Sequence, residues 1–210
     1  MRPSGGTLRV TEIFHSIQGE SSQAGRRCSF VRLTGCNLRC AWCDTKSAWR
    51  GGAEVPVAGV LMAVRAVRQT FSATWVCLTG GEPLLQDVGP LIRALRRDGF
   101  RVQVETNGTR DCPAGVDWLT VSPKPPRYAV RPALVGKARE VKLVVSRDLT
   151  RDDVAATRRR FPASTPLILQ PHGTVAWSLK KAWRLLAEAA RRGAPNVRLM
   201  VQLHKVLKVK

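Results

Sequence analysis

Hydrophobic and polar positions change their period several times along the chain, and each change marks an element. Residues 8–14, Leu-Arg-Val-Thr-Glu-Ile-Phe, alternate as a half-buried strand does, and His15 to Glu20 read as a loop that turns at Gly19. Cys28 to Thr34 form a second such run. From Val57 to Thr70 the period lengthens, with Val60, Leu61, Val64 and Val67 at helical spacing. Short apolar runs then predict strands at Trp75 to Thr79, Arg101 to Glu105, Asp117 to Val121, Glu140 to Val145, Pro166 to Gln170 and Val197 to Val201. Helical patterns fall between them. Asp87 can cap one that carries Leu91, Ile92 and Leu95 and stops at Gly99. A polar helix falls near residues 150–160, and Ser178 can cap another whose stripe is Leu179, Ala182, Trp183, Leu186 and Ala190, stopped by Gly193.

A repeated order of strand, loop and helix implies an α/β fold with a mainly parallel sheet and right-handed crossovers. About seven strands from Cys28 onward, with thin or missing helices, fall short of a closed eight-unit barrel of roughly 250 residues. The expected architecture is therefore a partial, open (βα) barrel. One domain spans residues 1–210: an N-terminal strand and loop over 1–27, the partial barrel over 28–201, and a tail over 202–210 that returns to the site. No internal repeat or low-complexity segment interrupts it.

Composition changes this picture little. The apolar run from Val55 to Val67 is broken by Pro56, Gly59 and Arg65, so no membrane span is expected. The N-terminal residues lack the apolar stretch of a secretory signal, which points to the cytoplasm, where thiols stay reduced and favour metals over disulfides. The net charge of +20 admits nucleic-acid binding, yet 26 of the 35 basic residues are arginines scattered along the chain. Short clusters such as Arg158-Arg-Arg160 sit at presumed helix ends, so the expected role is a solvated surface rather than a polynucleotide site.

The chemistry concentrates where strands end. Cys36, Cys40 and Cys43 form a C-x3-C-x2-C array in one loop. A structural zinc site takes four ligands, whereas a cubane iron-sulfur cluster held by three cysteines leaves one iron free. Gly80-Gly-Glu82 follows the Trp75 strand, Glu105-Thr-Asn107 the Arg101 strand, and Ser122-Pro-Lys124 the Asp117 strand, with Gln170-Pro171 and His204-Lys205 later. In barrel-like folds that rim is where active sites are built. Cys77, inside an apolar strand, reads as a small core residue.

Three cysteines so spaced, with Gly-Gly-Glu-Pro behind a later strand, resemble the radical S-adenosylmethionine (SAM) superfamily. Within it, the ordered set Ile17-Gln-Gly-Glu20, Phe30 to Thr45, Thr79-Gly-Gly-Glu-Pro83, Glu105-Thr-Asn-Gly108, Ser122-Pro-Lys124, Gln170-Pro171 and His204-Lys205 is similar to the 7-carboxy-7-deazaguanine synthase family. The resemblance implies a [4Fe-4S] cluster on Cys36, Cys40 and Cys43, with SAM chelating the free iron. It implies SAM contacts from Trp42, Thr79, Gly80, Gly81, Glu82, Glu105, Ser122 and Lys124. It implies Mg2+ at Thr45, with Asp44 beside it. The implied substrate is 6-carboxy-5,6,7,8-tetrahydropterin, held by Ile17, Gln18, Gly19, Glu20, Arg32, Thr79, Gln170 and His204; the carboxylate of Glu20 and the amide of Gln18 would read its amidine-like edge, and Arg32 its carboxylate. The implied reaction abstracts hydrogen from C6, contracts the ring, returns the hydrogen so that SAM is regenerated, and loses ammonia to give 7-carboxy-7-deazaguanine on the route to queuosine. No side chain of the protein is expected to act as the catalyst, since SAM supplies the radical. An electron donor such as flavodoxin and a homodimer are further implications. Ser21 stands where the family has Gly, and Leu203 and Val206 flank His204-Lys205 where Thr and Tyr are common. Two alternatives, an activase of a glycyl radical enzyme and a basic RNA-binding metalloprotein, leave the Gln-Gly-Glu loop and the Cys-Asp-Thr sequence unexplained.

Overall fold

The computed structural model describes residues 6–210, apart from the side chains of Gln69 and Thr70. The first five residues of the expected N-terminal segment lie outside these. In chain order the elements are β1 (Thr7–Ile17), β2 (Arg27–Leu33), β3 (Ala53–Pro56), α1 (Val57–Phe71), β4 (Trp75–Gly80), α2 (Gly89–Arg97), β5 (Arg101–Thr106), β6 (Trp118–Val121), α3 (Pro132–Val135), β7 (Glu140–Val145), α4 (Arg151–Arg160), β8 (Leu167–Pro171), α5 (Ala176–Arg191), β9 (Val197–Leu199) and α6 (Leu203–Leu207). The fold is α/β, and the strand pairings among the described residues are mostly parallel, consistent with the expected partial, open barrel.

The residues gather into two compact units. The first comprises the described residues through Ile17, Arg27–Thr106 and Cys112–Leu119. Its strands run β3-β1-β2-β4-β5, antiparallel at β3, β1 and β2 and parallel from β2 onward. One face carries Val31, Leu33, Val76, Leu78, Val102 and Val104, all buried, as are Val60 and Val64 of α1 and Leu91, Ile92 and Leu95 of α2. Each such side chain contributes about 1.5–3 kcal/mol. The opposite face carries Cys28, Phe30, Trp75 and Cys77 as a second apolar cluster, with Phe14 and Trp118 against it.

The second unit comprises Gln18–Arg26, Asn107–Asp111 and Thr120–Lys210. Parallel pairings join β6 to β7, β7 to β8 and β8 to β9. The polar helix expected near 150–160 is α4, begun by a capping box in which Thr150 and Asp153 bond each other's backbone N–H. Its Arg158 is buried, yet its guanidinium donates to the carbonyls of Thr165, Phe161 and Pro162, so the charge has partners.

Several expectations shift. β1 runs on to Ile17, because His15, Ser16 and Ile17 pair with Ser29, Cys28 and Arg27 instead of opening into a loop. The second helix begins at Gly89, two residues past Asp87, whose carboxylate takes the Gly89 N–H at 3.1 Å. Ser178 lies inside α5 rather than capping it. Its hydroxyl donates to Val145 O at 2.7 Å and accepts from His172 N at 2.8 Å, anchoring the helix's rotation. The buried stripe is consequently Ser178, Ala182, Leu185 and Ala189, and Trp183, expected inside, is 67% exposed. β9 stops at Leu199, and β3, α3 and α6 are additions whose four- and five-residue spans carry too short a period to register.

Candidate active site

In the first unit, the alternation along β2, β4 and β5 carries polar groups onto one face as the strands approach their C-terminal ends. Arg32 pairs in register with Thr79, and Glu105 extends the face of Gln103, whose amide reaches it at 3.4 Å. Directly after β2, the chain enters the cysteine loop. None of the six cysteines is in a disulfide; Cys36, Cys40 and Cys43 are each partly buried, whereas Cys28, Cys77 and Cys112 are buried. The Cys43 N–H bonds Cys40 O at 2.9 Å and the Thr45 N–H points at Cys43 Sγ at 3.4 Å. Among the described residues no three His, Cys, Asp or Glu side chains gather around one point for a single metal ion. A cubane asks for a different arrangement, one thiolate per iron, and three accessible thiols on one irregular loop fit it. Trp42 lies half-buried between two of them.

The glycine turn is built onto the root of this loop. Gly81 N bonds Leu33 O at 3.1 Å and Glu82 N bonds Gly35 O at 2.7 Å, and Gly35 N in turn bonds Ala48 O at 2.8 Å. The approach leaves no space for side chains. A Cβ on Gly80, which has φ +130°, would lie 2.0 Å from Leu33 O, and one on Gly81 would lie 2.1 Å from Gly35 O. Glu82 is fully buried; its Oε1 accepts from Leu84 N at 3.0 Å and from Thr106 Oγ1 at 2.8 Å. The turn and the carboxylate are thus fixed before any ligand arrives.

Arg32 and Thr45, thirteen residues apart on either side of the cysteines, meet: Arg32 Nη1 lies 3.4 Å from Thr45 Oγ1. Thr45 Oγ1 donates to Asp44 Oδ1 at 3.2 Å, which places two oxygens side by side. The guanidinium is aimed by Glu12, whose Oε1 takes Nε at 2.7 Å, and lies over the Phe14 ring at 5.4 Å; Phe14 stacks on Phe30 at 4.9 Å. Glu12 opposes Arg32 in the β1–β2 register and was not singled out by sequence, although its mid-strand position among alternating apolar residues carried the signal.

The second unit divides its faces the same way. Val121, Val141, Leu143, Val145, Leu167 and Leu169 are buried and apolar; the alternate positions Thr120, Glu140, Lys142 and Gln170 are buried and polar. Glu140 accepts from Thr120 Oγ1 at 2.8 Å and from Ser22 N at 2.9 Å. Ser22 belongs to the Gln18–Arg26 loop, which contains three of the expected substrate residues, Gln18, Gly19 and Glu20. There Gln18 Oε1 accepts from Glu20 N at 3.1 Å, and Lys142 Nζ and Gln202 Nε2, the latter at 2.6 Å, both donate to the Glu20 carboxylate. Burial alone would push this carboxyl up. The Lys142 ammonium, by charge and hydrogen bond, with Gln202 and His204 adding, more than reverses it and holds Glu20 down at about 2. His204 covers Gly19, where a Cβ would lie 1.9 Å from its Nδ1, and Leu203 N bonds Gly19 O at 2.7 Å. Through these two contacts the C-terminal residues lie against the Gln18–Arg26 loop.

The remaining expected residues are less engaged with one another. Ser122 Oγ donates to Lys142 O at 2.8 Å, and Lys124 Nζ donates to both Ser122 oxygens at 2.6 Å. Gln170 is 2% exposed and its Oε1 has no hydrogen-bond partner among the described residues. Ile17 ends β1 as a pairing residue, and Lys205 is exposed. Lys142, Glu140 and Gln202 were missed. For the first two the signal existed, two charged residues at period two inside the apolar run Glu-Val-Lys-Leu-Val-Val. Gln202 carried none, because its role depends on a tail folding back over some 180 residues of chain.

Known proteins resemble this chain along most of its length. The Radical SAM superfamily profile matches residues 30–142. A 7-carboxy-7-deazaguanine synthase of Rhodospirillum rubrum is 39% identical, covering 98% of this chain and 94% of its own. One from Synechocystis is 34% identical over 96% of this chain and 93% of its own. The crystal structure of QueE from Escherichia coli superposes with a TM-score of 0.76 at 28% identity, covering 94% of this chain and 95% of that one.

Proposed function

The chain belongs to the 7-carboxy-7-deazaguanine synthase family of the radical SAM superfamily, and from that premise we propose that it converts 6-carboxy-5,6,7,8-tetrahydropterin to 7-carboxy-7-deazaguanine with loss of ammonia. Radical SAM membership implies a [4Fe-4S] cluster and SAM, which when bound supply an electron and a 5′-deoxyadenosyl radical. The protein's own part is to bind, orient and exclude water. Cys36, Cys40 and Cys43 would hold the cluster. Gly80, Gly81 and Glu82, pinned to the root of that loop, with Thr79, Trp42, Glu105, Ser122 and Lys124, would hold SAM.

The observation that carries the reading is the meeting of Arg32 with Thr45 and Asp44 beside the cysteines. A guanidinium presents paired N–H donors to a carboxylate, and two neighbouring oxygens suit Mg2+, which keeps its waters and takes few protein ligands. Both would serve the substrate's 6-carboxylate. Glu20 and Gln18 would read the amidine-like edge, and the unpartnered Gln170 oxygen offers one further acceptor. Among the described residues no helix is long and apolar enough to cross a membrane. We infer a cytoplasmic enzyme reduced by a one-electron carrier such as flavodoxin. Homodimerisation is part of the same reading, supported by the exposed apolar side chains of Trp183, Val206 and Leu207.

Neither the activase nor the RNA-binding alternative is favoured, since synthases match nearly the full chain. Anaerobic reconstitution tests the proposal: about four irons and four sulfides per chain are expected, with carboxy-deazaguanine detected by mass spectrometry in the presence of SAM and Mg2+. An intact cluster without product would overturn it.

A further inference from the structure

We propose that Lys142 and Gln202 are positioning residues that clamp the Glu20 carboxylate from two sides and present its remaining lone pairs to the N–H edge of the substrate ring. This rests on the reading of Glu20 as a substrate-binding residue. All three participants, and Gln18 beside them, belong to the second unit.

Lys142 Nζ donates to one carboxylate oxygen of Glu20 and Gln202 Nε2 to the other, at 2.6 Å. The orientation of the Gln202 amide is not free. Its Oε1 accepts from Gly173 N at 2.9 Å, so its NH2 group must face Glu20. Glu20's backbone is held as well, by Gln18 Oε1 on its N–H. An ionised carboxylate offers about four lone-pair sites. One on each oxygen is spent on the clamp, which leaves one on each for a pair of parallel N–H donors, the pattern of an amidine edge. Stability alone does not account for the arrangement: the Lys142 side chain is only 6% exposed, and an apolar pair of similar volume holds a fold as well as a buried ion pair does.

The charged and titratable groups acting on Glu20 are Lys142 of β7 and His204 of α6, and Glu140 lies two residues before Lys142 on the same strand. Glu140 is engaged by Ser22 N and Thr120 Oγ1, so Lys142 remains the main counter-charge. Without it, burial would act on Glu20 opposed only by Gln202 and His204, and the carboxyl would drift toward the neutral acid, which offers a donor where the substrate needs an acceptor.

The test uses Lys142→Met, Lys142→Arg, Gln202→Leu and Glu20→Gln, with two readouts. In the full chain without substrate, carbon-13 NMR of the Glu20 carboxyl should titrate at about 2 in the wild type. In Lys142→Met it should titrate above the 4.5 of an ordinary glutamate; Lys142→Arg should restore most of the depression. In turnover, Lys142→Met should raise KM for the carboxy-tetrahydropterin about 10–100-fold, the range of a lost charged hydrogen bond, with kcat far less affected. In the Glu20→Gln background the same change should add no further KM effect. An undisturbed Glu20 titration in Lys142→Met, or a KM effect that persists without the Glu20 charge, overturns the proposal. Gln202→Leu, which deletes no charge, carries the same tests should Lys142→Met fail to fold, and its smaller upward shift and KM rise must likewise vanish in Glu20→Gln. A wild-type chain that makes no product refutes the functional reading instead, while the NMR titration still decides whether the clamp exists.

Discussion

Gly81→Ala perturbs the joint between the glycine turn and the cysteine loop by a single methyl group. That methyl would sit 2.1 Å from Gly35 O, 2.6 Å from Gly35 C and 3.0 Å from Ala48 O. These are backbone atoms and cannot rotate away, so the turn itself must move. Overpacking of this kind costs about 1–3 kcal/mol. Displacement also stretches the Gly81 N to Leu33 O and Glu82 N to Gly35 O bonds, each worth about 1 kcal/mol. A loss of about 3 kcal/mol lowers the melting temperature of a chain this long by roughly 6–12 °C. Because Gly35 adjoins Cys36, the variant should also retain less iron after anaerobic reconstitution and bind SAM more weakly. Gly136→Ala is the control, since a Cβ there meets nothing within 4 Å. Calorimetry and iron analysis on the pair decide the matter. A Gly81→Ala protein with the melting temperature and iron content of the wild type would refute the reasoning.

Other outcomes are expected from the same geometry. Cys40→Ala should abolish the cluster, read by iron content, whereas Arg32→Ala should keep it and lose about 10–100-fold in substrate affinity, read by isothermal titration; unchanged affinity refutes the Arg32 role. Ser21 has φ +57° and a buried hydroxyl without a partner, so Ser21→Gly should stabilise the fold by about 1 kcal/mol, a result that denaturant unfolding would contradict by showing a loss. Glu20, held at about 2 instead of 4.5, contributes stability that is fully present above the ordinary value and lost as the pH falls toward 2. The wild type should therefore lose on the order of 3 kcal/mol across that window relative to Glu20→Gln; identical acid unfolding profiles for the two proteins would exclude the clamp as a source of stability.

Much of the fold was legible because long elements declare their period. The β2, β4, β5 and β7 runs and helix α1 fall within a residue or two of their expected bounds. Short elements did not: the five residues of α6 form because Leu203 N and Gln202 reach the Gly19–Glu20 loop, a tertiary cause with no local trace. The α5 stripe was misjudged for a related reason. Its rotation is set by the Ser178 hydroxyl on Val145 O, and hydrophobicity alone favoured burying Trp183. Among the candidate residues, those within family motifs could be named from sequence, while the side chains that hydrogen-bond them in place carried at most a weak local signal. Glu12 aims Arg32, and Lys142 and Gln202 aim Glu20, through register and chain return rather than through any motif of their own. The constraint at position 21 was half visible: the left-handed backbone there accounts for the Gly usual in the family, and Ser21 occupies it under strain.

The central claim is that this chain turns over its proposed substrate with SAM regenerated. It is tested most directly by supplying the reconstituted enzyme, Mg2+ and a reductant with carboxy-tetrahydropterin in large excess over SAM, and counting carboxy-deazaguanine and ammonia by mass spectrometry and colorimetry. The account predicts many equivalents of product per SAM, with ammonia released one for one. Methionine and 5′-deoxyadenosine accumulating from an intact cluster, with no carboxy-deazaguanine, would contradict it.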